Sequence, residues 1–401
     1  MEKFINYQDN SGSEGSFDEH APVEVQEESV GEEPLKPSQE GINLEHRFGD
    51  PIVNLEDMPS ITEDMIQRYK QFFVDAGYRE ILPVRITSGV DPSVRFIGSH
   101  ISALKKYVLG EGIPEGGIVT SQPCVRTRNQ PKLFDDEYIP GWGSYFKSLG
   151  TIVGFDQADK LCEQSIKYLL EVAKIPSDRL VLRVNREDTD LYRLAQQYGT
   201  GLRFDDTSMP QKYYRHVLGV DGVWGRNFNY AIEEDGKLYD IGNFIFLENN
   251  KKCLGAELAL GTSTILKHGF ALEHVNSSNP VVEIEALKHP LRFKFEDAVI
   301  TSTVLLSEGL RPSAKGNQER LLRSYVKALS YFRYKMNVEC DDLIDWVSHF
   351  EQLHGFDNTA SEFLGQYIPR YEDKLLSTNF EDLSIEDRYV LDQILNAMNN
   401  E

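Results

Sequence analysis

Arg126 and Arg128 close the run "TSQPCVRTR", and an arginine can hold a phosphate or carboxylate because a guanidinium presents a planar fork of donors and keeps its charge. Asp240 and Asn243 share the run "YDIGNFIFLE", where a carboxylate with an amide could meet a substrate or a hard cation such as Mg²⁺. Each has a plainer reading as well. A strand-end arginine beside a loop also serves in surface ion pairs, and polar residues on a strand also line a half-buried face. From Arg311 to Lys335 there are seven basic residues and one acid, with Arg320, Arg323, Lys327 and Arg333 spaced along one helix face and Tyr325, Tyr331 and Tyr334 between them. That stripe suits a phosphate backbone or a solvated face equally. Other chemistries find no footing. The nine histidines show no metal-ligand spacing, and there is no Gly-rich phosphate loop after a strand and no nucleophile elbow. His100 and His289 read as structural.

These residues need elements to position them, and the chain is long enough to supply them: 401 residues with 40% hydrophobic content bury more than one core. The net charge is −22, from 42 Lys plus Arg against 64 Asp plus Glu, so a nucleic-acid partner requires a local basic patch and DNA is not expected. Cys124, Cys162, Cys253 and Cys340 are too scattered for a zinc or redox motif, which predicts reduced thiols. No apolar run reaches the roughly 18 to 20 residues of a membrane span, and the polar start "MEKFINYQDN" is not a signal peptide. A cytoplasmic protein without a membrane partner is expected.

Residues 1–50 hold thirteen acidic and three basic residues and little apolar surface, which predicts a disordered acidic tail. "SITEDMIQRYKQFFVDAGY" then has helical spacing, with Ser60 and Glu63 set as a capping box and Gly77 as its end. Short apolar runs punctuated by Gly and Pro continue to about Gly269, and "NYAIEEDGKLYDI" alternates about an Asp235-Gly236 turn, the mark of a hairpin. Beyond Pro280 four segments, from "KFEDAVITSTVLLSEGL" to "IEDRYVLDQILNAM", are helical in period. The predicted fold class is α+β: an antiparallel β-sheet flanked by helices over 51–275, followed by an all-helical domain over 280–401.

The stretch "DPSVRFIGSHISALKKYVLGEGIPEGGIVTSQPCVRTRN" resembles the part of alanyl-tRNA synthetases that leads into class II motif 2, and "TSQPCVR" is its most specific piece. "YFKSLGTIVGFDQADK", the glycine spacing Gly219, Gly222, Gly225, and "YDIGNFIFLENN" are similar to the strands and loop that follow in that family. "LLSEGLRPSAKGNQERLLRSYVKAL" is similar to a segment of its helical part, so the resemblance spans about residues 58–335. It implies a class II synthetase-type sheet and a tRNA-recognition-like helical domain. The implied function is in protein biosynthesis: activation of alanine or another small amino acid with ATP and Mg²⁺ as an adenylate, and its transfer to a tRNA acceptor stem.

Carried over position by position, the resemblance makes Arg126 the catalytic motif 2 arginine and Arg128 a second phosphate contact, with Asp240 at a glutamate position suited to Mg²⁺. Asn243, Glu257, His216 and Gly261 fall in the amino-acid pocket. Asn243 helps hold the substrate, Glu257 replaces an aspartate that pairs with its ammonium, and His216 replaces a tryptophan. Arg320, Arg323 and Lys327 become tRNA contacts, and no protein-held metal site is implied. The chain also departs from the pattern. The motif 3 arginine falls on Thr264, which can neither stack as a planar cation nor neutralise triphosphate, and the asparagine that reads the acceptor stem falls on Ala314. An adenylating enzyme, a degenerate synthetase that binds tRNA or protein as a regulator, and an enzyme that loads a carrier protein or metabolite therefore all remain open.

Overall fold

Among the described residues, apolar and aromatic runs form nine strands: β1 (Arg79–Glu80), β2 (Ile118–Val125), β3 (Tyr145–Gly154), β4 (Leu180–Arg183), β5 (Arg203–Asp205), β6 (Arg215–Val220), β7 (Val223–Glu234), β8 (Lys237–Asn249) and β9 (Lys252–Gly261). The structure is a computed structural model and describes residues 46–220, 222–250 and 252–400. Of the acidic tail expected over 1–50, all but residues 46–50 lies outside the described residues. His46–Glu401 forms one compact unit.

The strands make one sheet in the order β1-β2-β3-β9-β8-β7-β4-β5, with β6 paired to the first half of β7 on the edge whose second half takes β4. The centre, β2 to β7, is antiparallel as expected, while β1 with β2 and β4 with β5 pair in parallel at the two edges. A purely antiparallel sheet therefore needs amending to a mixed one. The edge strands are two and three residues long, and strands that short leave no alternation from which direction can be read. The β7–β8 hairpin turns at Asp235 and Gly236, both at positive φ (50° and 73°), the geometry that a two-residue loop needs to match strand twist.

The described residues also form eleven α-helices: α1 (Met58–Asp75), α2 (His100–Lys106), α3 (Ala158–Lys167), α4 (Thr189–Tyr198), α5 (Thr262–Gly269), α6 (Val282–Glu285), α7 (Arg292–Ser307), α8 (Asn317–Lys335), α9 (Cys340–His354), α10 (Thr359–Ser377) and α11 (Ile385–Asn400). α1 begins two residues before Ser60. Pro59 occupies its first turn, where a missing N–H costs nothing, and the Ser60 hydroxyl donates to Asp57 O (2.8 Å), so no capping box forms. One sheet face is sealed by α1, α3 and α4 through Tyr69, Phe73, Leu161, Leu191, Phe228 and Phe244. On the opposite face only a small apolar cluster, in which Ile101 and Leu104 of α2 meet Ile152, Ile245 and Leu247, covers part of the strands. The helices from α6 onward share a third core that reaches the sheet at Val125 and Tyr145, the two ends of the β2–β3 connection. That connection carries Arg126 and Arg128.

Candidate active site

The register of β9 places Glu257 on the face that α2 only partly covers, beside Ile152 of β3 and Ile245 of β8. Its neighbours on that face are small: Gly255, Ala259 and Gly261 along β9, and Gly150 on β3. Small residues at alternate positions let side chains from other elements, the His100 ring over Gly150 among them, come close to the strands around the carboxylate. Across β8, Ala259 faces Asn243 and Asn243 faces Asn229; Ile245 faces Asn227. Glu257, Gly261 and Asn243 are thus brought to one face, and His216 joins them from β6, opposite Gly225 of β7.

Glu257 is almost fully buried (2% exposed) and meets one basic side chain, His100, whose Nε2 lies 2.8 Å from Oε1 but off the line of a hydrogen bond. The other imidazole nitrogen, Nδ1, is 2.9 Å from Ser148 Oγ. Gly150 permits this arrangement, since a Cβ there would run into the His100 ring. On this face Glu257 Oε2, Asn227 Oδ1 and His216 Nε2 are also buried with no hydrogen-bond partner among the described residues. Burial pushes the His216 imidazole below its ordinary pKa, against the opposing pull of Glu257, so Nε2 favours the neutral state. Buried polar atoms without partners are rare in folded proteins, and acceptors gathered on one face are what a bound ammonium would satisfy.

Arg126 follows β2 directly and lies on the same face. Its Nε donates to Gly98 O (2.8 Å) and its guanidinium sits 4.7 Å from the centre of the Phe146 ring. The terminal nitrogens make no hydrogen bond or ion pair with described residues. The side chain keeps solvent contact, yet desolvation by the atoms around it, with Arg128 as a smaller cause, pulls its pKa down. An exposed guanidinium whose terminal nitrogens have no carboxylate partner among the described residues can meet an anion by bidentate contact. Arg128 is exposed two residues on, in the turn Thr127–Lys132.

Asp240 stands differently from its sequence reading. A bulge between Tyr230 and Ala231 brings it to the side of Asn229, and both of its oxygens are taken. Oδ1 accepts from Arg183 Nη1 (3.0 Å); Oδ2 accepts from the Tyr213 hydroxyl and from Asn229 Nδ2 (3.1 Å). Asn229 Oδ1 in turn accepts from Asn243 Nδ2 (2.6 Å) and Asn227 Nδ2. Asp240 therefore anchors a relay that holds Asn243 in place, and a cation at Asp240 would have to displace Arg183. Among the described residues no group of three or more His, Cys, Asp or Glu is arranged to hold a metal ion. Thr264, at the motif 3 arginine position, lies in the first turn of α5.

The loop that carries Arg128 is clamped from the helical side. Asp297 of α7, whose carboxyl burial pushes up in pKa, accepts from Ser144 N (2.6 Å), Ser144 Oγ (2.7 Å) and Asn129 Nδ2 (3.2 Å). Tyr331 and Lys335 of α8 both hold Asp136. The basic stripe of α8 is largely spent inside the protein. Lys327 is 3% exposed and pairs with Asp387 (2.8 Å) and Glu386 (3.2 Å) of α11. Arg333 pairs with Glu372 of α10, and Arg323 reaches Asp387 at 3.9 Å. Arg320 stays exposed and touches only Asn317. The three residues read as a tRNA face are thus one exposed arginine, one partly buried arginine and one internal lysine.

Sequence reasoning read His100 as structural and did not single out Asn227, Asn229 or Arg183. The signals available were Gly150 and the asparagine alternation "NFN", neither specific in isolation.

A mixed sheet with an antiparallel centre, an open polar face, flanking helices and a following helical layer is the arrangement implied by the resemblance to class II aminoacyl-tRNA synthetases. Within that class the sequence similarity is to alanine–tRNA ligases. The chain is 23% identical to that of Borreliella afzelii over 79% of its length and 61% of the relative's. It is 22% identical to that of Acetivibrio thermocellus over 65% of its length and 34% of the relative's, and 27% identical to that of Dechloromonas aromatica over 54% and 28%. The chain therefore spans between about a quarter and three fifths of these relatives' length. No family model matches it. Among solved structures, apo histidyl-tRNA synthetase from S. aureus overlaps 55% of this chain and 69% of its own at a TM-score of 0.36 and 12% identity. No helix among the described residues is long and apolar enough to cross a membrane.

Proposed function

We propose that this chain is an adenylate-forming, alanyl-tRNA synthetase-like enzyme that activates alanine or another small amino acid with ATP and Mg²⁺ and passes it to a tRNA acceptor stem or a carrier protein. The observation that supports this most is the pairing, on one open sheet face, of Arg126 with unengaged terminal nitrogens and Glu257 with an unpartnered Oε2. Forming an adenylate requires a carboxylate to be held against an α-phosphate while charge builds on the phosphoryl oxygens. Arg126 would stabilise that charge by bidentate contact, with Arg128 beside it. Glu257, with Asn227 and His216, would hold the amine, and Asn243, fixed through Asn229, would orient the substrate.

The residues present fit ATP in part. Arg126 suits a phosphate, whereas Thr264 supplies no second cation and Asp240 is already paired with Arg183. Mg²⁺ would accordingly be held chiefly by the phosphates. That shortfall supports a second reading, a synthetase-derived binding module that no longer adenylates and acts through tRNA or protein. Amino-acid-dependent pyrophosphate release from ATP and Mg²⁺, screened over the small amino acids without tRNA, separates the two. Release with one amino acid establishes the enzyme, and total tRNA or carrier protein then identifies the acceptor. A folded sample that stays silent both alone and with total tRNA favours the module.

A further inference from the structure

We propose that His100 is a positioning residue that aims Glu257 at a substrate ammonium, through the side-chain series Ser148, His100, Glu257. This rests on the amine reading of Glu257 and deepens it. Neither motif resemblance nor charge spacing points to His100; the geometry does. The imidazole is fully buried, with Ser148 Oγ 2.9 Å from Nδ1 and Glu257 Oε1 2.8 Å from Nε2. A glutamate has more rotatable bonds than an aspartate, and without a neighbouring side chain its carboxylate would sample several rotamers beside glycine and alanine. With the imidazole 2.8 Å from Oε1, contact with the buried ring narrows the orientations open to the carboxylate, and its other oxygen is the buried, unpartnered Oε2.

His100 is itself held by the fold. It opens α2, and the segment before it is tied to the end of β2 by Val125 N to Ile97 O (2.9 Å) and by Arg126 Nε to Gly98 O (2.8 Å). Gly150 opens the space that its ring fills. One short loop therefore sets both the amine carboxylate and the phosphate-facing arginine. An aimed carboxylate discriminates an ammonium from an isosteric hydroxyl, because the hydroxyl leaves a buried charge under-satisfied.

The test uses the full chain, with glycine, L-alanine and L-serine and the hydroxy acids glycolate and L-lactate as probes, by calorimetry and by pyrophosphate exchange. Glu257→Gln examines the amine reading: it should abolish preference for amino over hydroxy acid. His100→Ala, which removes the ring, and Gly150→Ala, whose Cβ would push it aside, should each weaken the amino acid about 10- to 100-fold in KM or Kd with little change in kcat, the usual range for losing an outer-shell orienting partner. His100→Gln, which keeps a donor for Glu257, should recover most of the loss. Thermal melts confirm that each variant is folded, and Gly150→Ala serves where His100→Ala is not. If Glu257→Gln destroys the preference while folded His100→Ala or Gly150→Ala binds as the wild type does, the role of His100 is overturned and the amine reading stands. If Glu257→Gln changes nothing, or the folded wild type binds none of the probes, the amine reading falls and takes this inference with it.

Discussion

Arg126 is the residue on which the proposed chemistry turns, and its surroundings predict a separable effect. Removing it forfeits one hydrogen bond to Gly98 and one ring contact at an exposed position, a loss of about 1 kcal/mol in stability. Removing it from an adenylating site forfeits stabilisation of the phosphoryl charge, worth about 10²- to 10³-fold in kcat for a single such donor. Arg126→Ala should therefore melt near the wild type while losing amino-acid-dependent pyrophosphate exchange, and a folded variant with undiminished exchange would take Arg126 out of the site. The arginine was legible because strand, loop and charge lie together in "TSQPCVRTR". His100 was not, since its partners arrive from β3 and β9, far along the chain. Asp240 was legible as a carboxylate beside Asn243, but its engagement with Arg183 and Tyr213 depends on a bulge and on a neighbouring strand that no local pattern reveals.

At the scale of elements, local signals carried furthest where the chain folds on itself. The Asp235-Gly236 hairpin and the helices after Pro280 stand as their turn residues and periods suggest, whereas the parallel edges depend on partners outside the window. α7 shows why polarity misleads here: Asp297 is buried because the β2–β3 connection supplies its donors. Asp297→Ala would leave the Ser144 N–H buried without an acceptor, at about 1–3 kcal/mol, and Asn129 Nδ2 with Trp142 O alone, and should loosen the loop that carries Arg128. Urea denaturation checks the stability, and faster amide exchange confined to residues 127–144 checks the loop. At the end of α9, His354 packs on Phe350 and near Phe356, and burial, with Lys147 a lesser cause, holds its pKa down to about 3. Between its ordinary value of 6.5 and about 3 the unfolded chain takes up a proton that the native imidazole refuses, so stability falls as pH drops through that window. One such group contributes at most about 1.4 kcal/mol per pH unit. His354→Phe keeps the aromatic contact and removes the titration; its melting temperature should gain on the wild type from pH 6.5 to pH 4, and parallel curves would exclude His354 as the cause.

Across the whole molecule the charge distribution decides what the helical layer can bind. The run from Arg311 to Lys335 is strongly basic along the sequence, but folding brings Glu372, Glu386 and Asp387 from α10 and α11 against it, and Asp136 meets its end. A count along the chain cannot see acids that lie 39 to 199 residues away, which is why the stripe read as a surface. Its cations mainly fasten α8 to α10, α11 and the loop beside Arg126, leaving Lys315 and Arg320 exposed near the start of α8. On a chain of net charge −22, phosphate contacts that few give a shallow dependence of tRNA affinity on salt, with a slope near −1 per contact against log salt. The two kinds of cation then part under mutation. Lys327→Met leaves Asp387 and Glu386 without their buried partner and should destabilise the protein by about 3–5 kcal/mol, as breaking one side of a buried pair does, while tRNA affinity of the folded variant stays unchanged. Lys315→Glu with Arg320→Glu should leave the melting temperature nearly unaltered and abolish whatever salt-dependent tRNA binding the chain has. Filter binding of total tRNA between 50 and 200 mM salt reads both. If Lys327→Met lowers tRNA affinity in a folded protein, or the exposed pair makes no difference to measurable binding, the face that meets tRNA is not at the start of α8.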